Sequence, residues 1–442
     1  MTSRSVIVVG AGIAGLTAAY RLQQAGMAVT VLEAQSHIGG RMAELRHGDI
    51  VYNTGARLIY PFGRTLMGLI AELDLTSALV PVKGLSADCE STASTYRITL
   101  MPSPKTLATP GLSLPDRLRL LAFSAHALSL RMRVDPDDFT SASFCDDTTL
   151  ADYCDRRMGP RARRMLIDPL FRGTRSWNPE DISSAFLMST LPQMFFRDTV
   201  YGLKGGMGRL TAALAEQLDV RDGVKAVSID MSRPGFCRVE ALKDGRTITL
   251  DADVVICAVE GAAAGTLLAD KTSTEATFFD HVRYNSLGVV HYAVTGDIAP
   301  AMRFARRDKP TLLSTYQQLP ASPQQGRPKA QVYCQLTPEA TSAASTEGSL
   351  ASLEQRVRAD VRQYLPDIDQ RIADSFVQWI EHKLPIPYPG FAAKVTAFRE
   401  WQRHERRRVY FCGDYLAQAL VTGACASGAE AADVVMRHWA SA

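Results

Sequence analysis

A strand, a glycine-rich turn, a helix, a second strand and an acid fill the first forty residues in that order, and this constrains the chain more than anything else in it. Residues 6–9 form a short unbroken apolar run, as a strand buried on both faces of a parallel sheet requires. Gly10, Gly12 and Gly15 follow at once in the spacing Gly-x-Gly-x-x-Gly. Residues 16–24 read as a helix that closes near Gly26, and residues 28–32 as a second strand ending at Glu33. Each glycine has its own task. Gly10 permits the sharp turn out of the strand, Gly12 leaves room for a phosphate against the backbone, and Gly15 lets helix and strand pack closely. The helix start at Ile13 and Ala14 offers unpaired N–H groups to an anion. Glu33 stands where a carboxylate accepts hydrogen bonds from ribose hydroxyls. The unit predicts a dinucleotide site.

The 442 residues allow two or three domains. With 49 basic and 46 acidic residues the net charge is +3, too near balance to signal nucleic-acid binding, and none is expected. None of the eight cysteines forms a Cys-x-x-Cys pair and no His-rich cluster accompanies them. No metal site is expected; reduced, buried thiols and a cytoplasmic location are. The chain opens without the pattern of a signal peptide. The best apolar stretch, residues 118–132, is interrupted by Arg119, His126 and Arg131 and reads as a helix rather than a membrane span. Peripheral membrane contact and the oligomeric state stay open.

Gly39, Gly40 and Arg41 follow Glu33, giving a second close backbone approach and a planar cation within reach of a pyrophosphate. Residues 6–42 resemble the FAD fingerprint of the flavin amine oxidase and protoporphyrinogen oxidase superfamily, which includes phytoene-desaturase-like enzymes. Gly55, Ala56, Arg57 and Leu58 resemble the family segment that passes the flavin rings. Residues 253–259 and 408–412 read as buried strands, and Gly413, Asp414 and the run from Val421 and Thr422 into a helix at 429–438 resemble its last segment. The resemblance implies that Glu33 and Ala34 bind the nucleoside end and that Val224 holds the adenine through its backbone. It further implies that Asp414 meets the ribityl chain and that the helix after Val421 and Thr422 points its N-terminus at the flavin. The implied fold is α/β: a Rossmann-like FAD-binding domain assembled from residues 1–85, 201–283 and 385–442, with an interleaved α+β substrate domain of residues 86–200 and 284–384.

Residues 201–208 resemble the family's Gly-Gly-Met segment, and residues 210–218 read as a helix. They do not make a second nucleotide site, because no buried strand is expected before them and Thr211 stands in place of a third glycine. Residues 224–229, 238–242 and 247–250 read as three short strands, the last two joined by a turn at Asp244 and Gly245. Residues 320–329 and 337–352 read as turn-rich surface loops.

The substrate half says less. Members of the family often carry a lysine near the flavin in a strand that corresponds to residues 285–291, which has none here. Nor does residues 385–391 contain the cysteine that holds a covalent flavin in monoamine oxidases, so non-covalent FAD is expected, with Cys412 and Cys425 as the two thiols near the site. Residues 383–390 are similar to the Pro-rich segment of protoporphyrinogen-oxidase-like and desaturase-like members. Arg57 and Tyr388 are the catalytic-site candidates, Arg57 for a substrate carboxylate or a flavin-side structural role. His291, flanked by apolar residues, reads as a core histidine, and residues 403–408, with four arginines, as a solvated edge.

A flavin chemistry without an evident general base is hydride transfer from a carbon next to nitrogen or to unsaturation. The expectation is an FAD-dependent oxidase or dehydrogenase acting on a C–N or adjacent C–C bond of a small molecule, with O2 or another acceptor reoxidising the flavin. The alternatives are an NAD(P)H-dependent flavin monooxygenase and a non-catalytic FAD-binding protein.

Overall fold

A computed structural model describes residues 4–90, 95–307, 309–322, 326–347 and 350–439. Its centre is a five-stranded, wholly parallel sheet in the order Val409–Phe411, Val254–Cys257, Ser5–Val9, Ala28–Leu32, Asp219–Arg221. Strands distant in sequence meet here because all but the exposed edge strand Asp219–Arg221 are short, mainly apolar runs that gain from being covered on both faces. The helices Ile13–Gln24 and Val421–Trp439 pack against each other beside it. Their contact is close enough that a Cβ on Gly428 would lie 2.1 Å from the Ala14 carbonyl oxygen. An antiparallel sheet of Val224–Asp230, Cys237–Lys243 and Arg246–Ala252 stands beside the parallel one.

The second region is built on a seven-stranded mixed sheet. Its order is Ile372–Pro385, Tyr284–Val294, Ala330–Leu336, Leu313–Leu319, Ala301–Phe304, Ser86–Glu90, Thr95–Thr99. Helices such as Leu114–Ser129, Leu150–Met158 and Ser184–Met194 share a large apolar core with one another. Leu114–Ser129 begins with a full capping box, Ser113 and Asp116 each satisfying the other's backbone N–H. Among the described residues, no helix is long and apolar enough to cross a membrane.

Four readings change. Residues 337–352 are not a loop where described: Pro338–Glu347 and Leu350–Val361 are helices. Thr337 Oγ1 accepts the Ala340 N–H as a cap, and Ala340 and Ala344 pack on the apolar core beneath, so small residues serve close packing here rather than exposure. Residues 348–349, and residues 323–325 of the 320–329 stretch, lie outside the described residues. The last helix starts at Val421, not at 429. A strand, Thr199–Leu203, does precede Gly205 and Gly206, but it pairs antiparallel with Leu79–Lys83 and is no part of the parallel sheet. The arginines of 403–408 are not a plain solvated edge. Arg403 pairs with Glu430, Arg407 with the fully buried Glu275, and Arg408 lies over the Trp439 ring.

Candidate functional site

One cavity of about 980 Å³ runs from the glycine turn of the parallel sheet to the face of the seven-stranded sheet. At the first end, Gly10 turns with φ +107°, and a Cβ there would lie 2.9 Å from the Ala258 carbonyl oxygen. Gly12 caps the first helix without any side-chain hydrogen bond, so the N–H groups at Ile13 and Ala14 face the cavity. Gly15 alone of the expected cofactor residues does not line the cavity; its hydrogen sits against the Gly10 carbonyl, where a Cβ would be 2.1 Å away. Gly40 rests on Gly12, so the two glycine turns form one continuous backbone surface.

Glu33 is buried. It accepts the Ala11 N–H at 2.8 Å and the Gln35 N–H at 2.9 Å, and its backbone carbonyl accepts the Val224 N–H. Each of its oxygens keeps a lone pair for a further donor. Ala34 and Val224 line the cavity next to it. Gly55, Ala56, Arg57 and Leu58 line its middle, where the Ala56 N–H donates to the Arg41 carbonyl at 2.7 Å. Gly413, Asp414, Val421 and Thr422 close the other wall, where the Thr422 side chain lies beside the Asp137 carboxylate.

Arg41 does not reach freely into the space. Its guanidinium donates to both Asp414 oxygens, at 2.7 and 2.8 Å, and to the Lys383 carbonyl at 3.0 Å. Burial opposes the Arg41 charge, but Asp414 outweighs it and raises the pKa. The expected ribityl contact, Asp414, is therefore already engaged by the expected pyrophosphate contact.

The two expected catalytic-site residues part company. Arg57 lines the cavity, donating to Gln317 Oε1 at 2.6 Å with its guanidinium 4.2 Å from the Tyr333 ring centre. Tyr388 does not line it: its hydroxyl donates to the His281 carbonyl and its ring packs against Phe391 and under Arg283. The strand Ile372–Pro385 ends before residue 388, and the chain then turns away into the helix Phe391–His404.

Three groups escaped the sequence reading. Lys383 lines the cavity, is 8% exposed, and donates through Nζ to Ser176 Oγ at 3.0 Å. Burial, with Arg175 and Arg57 nearby, lowers its pKa well below that of an ordinary lysine. Arg175 lines the same end, buried against the T-shaped ring pair Phe171 and Phe186. His291, expected as a core residue, is buried and bonded to Gln378 Oε1 at 2.9 Å, yet it too faces the cavity, and burial lowers its pKa to about 4. Lys383 had one legible sign: it is the last charge before a run of prolines and apolar residues.

The family model for flavin containing amine oxidoreductases matches residues 13–436. The chain belongs to that family. It is a flavin-dependent oxidoreductase. Bovine protoporphyrinogen oxidase is 26% identical over 354 residues, covering 68% of this chain and 69% of that protein. The flavin-dependent L-tryptophan oxidase RebO of Lentzea aerocolonigenes is 27% identical over 312 residues, covering 62% of this chain and 61% of that protein. Among solved structures, putrescine oxidase bound to putrescine superposes with a TM-score of 0.74 over 99% of both chains at 18% identity, which shows the shared fold.

Proposed function

We propose that this chain is an FAD-dependent oxidase that oxidises a C–N or adjacent C–C bond of a small molecule, with FAD bound non-covalently and O2 as electron acceptor. Residues 1–85, 201–283 and 385–442 form the FAD domain in this reading, and the remainder the substrate domain. The observation that carries it is the single cavity that joins the glycine turn to Lys383 and Arg57. The residues present fit FAD. A Cβ on Gly12 would meet nothing within 4 Å, so the cradle is open where a pyrophosphate would lie. Glu33 has acceptor capacity for a ribose, and the Val421–Trp439 helix starts at the cavity wall, where a helix N-terminus favours an anionic or polar group. Cys412 and Cys425 do not line the cavity, and burial pushes the Cys425 thiol up to about 12, which supports non-covalent binding. All eight cysteines are free and buried, as suits the cytoplasm.

Bound FAD supplies the two-electron acceptor for the substrate C–H bond. The chain supplies the rest. Lys383, held as a neutral amine by burial, takes the proton from a substrate ammonium through Nζ, so that the nitrogen lone pair can stabilise the cation left on carbon. His291, neutral at physiological pH, orients polar groups without adding charge. The apolar wall from Leu287 and Val289 excludes water.

Anaerobic mixing of the yellow holoenzyme with a panel of amines and unsaturated acids tests this. Flavin bleaching by a panel member supports the oxidase. Bleaching by NADPH alone transfers the protein to the monooxygenase class. Acid precipitation should leave the colour in the supernatant.

A further inference from the structure

Lys383 stands in an irregularity of its strand. Where Ile372–Pro385 pairs with Tyr284–Val294, Leu384 is opposite Asn285 but Ile380 is opposite Leu287, so Glu381, His382 and Lys383 face Ser286 alone. A bulge of this kind turns side chains out of the regular alternation and re-aims them. The displaced segment is tied down on three sides. The Lys383 carbonyl accepts from Arg41 at 3.0 Å, the Leu384 N–H donates to Asn285 Oδ1 at 3.0 Å, and Lys383 Nζ donates to Ser176 Oγ at 3.0 Å.

Ser176 is itself held in an uncommon conformation. It ends the helix Asp168–Arg175 with φ +56° and ψ +38°, the left-handed region, and is 2% exposed. Glycine or asparagine usually ends a helix this way, because a Cβ is crowded there. Asn285 holds the turn. Its Nδ2 donates to the Arg175 and Ser176 carbonyls, each at 2.9 Å, while its Oδ1 takes the Leu384 N–H. One side-chain amide thus locks the helix end to the strand that carries Lys383. Lys383 lines the cavity and Ser176 does not, so the serine hydroxyl meets the amine from behind the wall.

We infer that Ser176, set in place by Asn285, is a positioning residue for the Lys383 amine, accepting one N–H so that the nitrogen lone pair stays open to the cavity. The inference rests on the reading of Lys383 as the group that takes the substrate proton, and it names what aims that group. A lysine amine sits on a flexible stem, and a base works only within hydrogen-bond reach of the proton it takes. An oxygen acceptor also favours the protonated amine, opposing burial and the charges of Arg175 and Arg57. The hydroxyl therefore has two separable effects, one on where the amine lies and one on the pH at which it loses its proton. A serine kept only to shape the turn would have neither, and glycine would shape that turn with less strain.

Two variants of the holoenzyme test this. Ser176→Gly relieves the backbone and removes the hydroxyl, and Ser176→Ala keeps the Cβ and removes the hydroxyl alone. Thermal melts check that they fold, and where one does not, the other decides. Acetylation of Lys383 by acetic anhydride, followed by peptide mass spectrometry across pH, needs no substrate. Its midpoint should fall by about half to one pH unit in both variants. Anaerobic flavin reduction by the fastest amine or acid of the panel should slow by roughly 10- to 100-fold, and the acid limb of its pH profile should move down with the midpoint. An unchanged midpoint, a shift in the glycine variant but not the alanine one, or a shifted midpoint with the wild-type reduction rate would each overturn the inference. The two readings fail separately. A holoenzyme that no amine or acid reduces removes the oxidase reading, and the acetylation midpoint still decides the role of Ser176. Reduction at the wild-type rate in both folded variants removes Ser176 and keeps the oxidase.

Discussion

Both carboxylate oxygens of Asp414 are held by the guanidinium of Arg41, at 2.7 and 2.8 Å, across 373 positions of sequence. Arg41 follows the second glycine turn, and Asp414 follows the outermost strand of the parallel sheet. The pair therefore ties together two walls of the cavity, and through the Lys383 carbonyl it also grips the end of the seven-stranded sheet.

Removing one partner of this pair should be costly. Asp414 is 5% exposed, so Asp414→Asn leaves Arg41 with a diminished counter-charge in a dry site. We expect a loss of about 3 kcal/mol in stability, together with weaker FAD retention. Urea unfolding and the flavin-to-protein absorbance ratio measure the two effects. An Asn variant as stable and as yellow as the wild type would show that the pair is incidental.

Two glycines three residues apart, Gly12 and Gly15, should fail in different ways. Gly12 has φ −75° and open space beyond its hydrogen, so Gly12→Val should fold normally and lose FAD. Gly15 has the Gly10 carbonyl oxygen 2.1 Å from any added Cβ, so Gly15→Val should unfold or aggregate. Circular dichroism separates the cases: a native spectrum without flavin for the first, a lost spectrum for the second.

Asp137 gives a pH signature. Burial raises its pKa to about 6. In the unfolded chain it titrates at about 3.9. Between these values the folded state holds more of the proton, so Asp137 costs stability increasingly as pH rises from about 4 to about 6, and by a constant amount above that. Asp137→Asn should be more stable than the wild type by roughly 2–3 kcal/mol at about pH 7, with the difference vanishing near pH 4. Equal wild-type and variant stabilities across this range would rule out the burial argument.

Lys383→Met should separate chemistry from cofactor binding. Arg41 bonds the backbone of residue 383, which the substitution leaves in place. FAD content should stay constant while anaerobic flavin reduction slows by about 100-fold or more. The pH dependence of reduction that comes from the neutral amine should also vanish. Reduction at the wild-type rate would remove Lys383 from the proton path.

The glycine-turn end of the cavity was legible because its information is local. Val6–Val9, Gly10, Gly12, Gly15 and Glu33 are neighbours in sequence, and the turn they make depends on steric freedom at single residues. The three strands after Val224 were legible for the same reason, since alternation and an Asp-Gly turn mark them within a few residues. Composition misled at residues 337–352, where Ser, Ala and Thr suit a loop and a closely packed helix equally, and only the apolar surface beneath Ala340 and Ala344 decides between them. The acidic and basic pairing was decided by tertiary structure alone. Arg57, Arg175 and Lys383 lie on three separated segments, and nothing in any one segment tells whether its cation meets a carboxylate, a hydroxyl or another cation. That outcome depends on which sheet face each side chain reaches, and a charge takes its properties from neighbours that only the fold supplies.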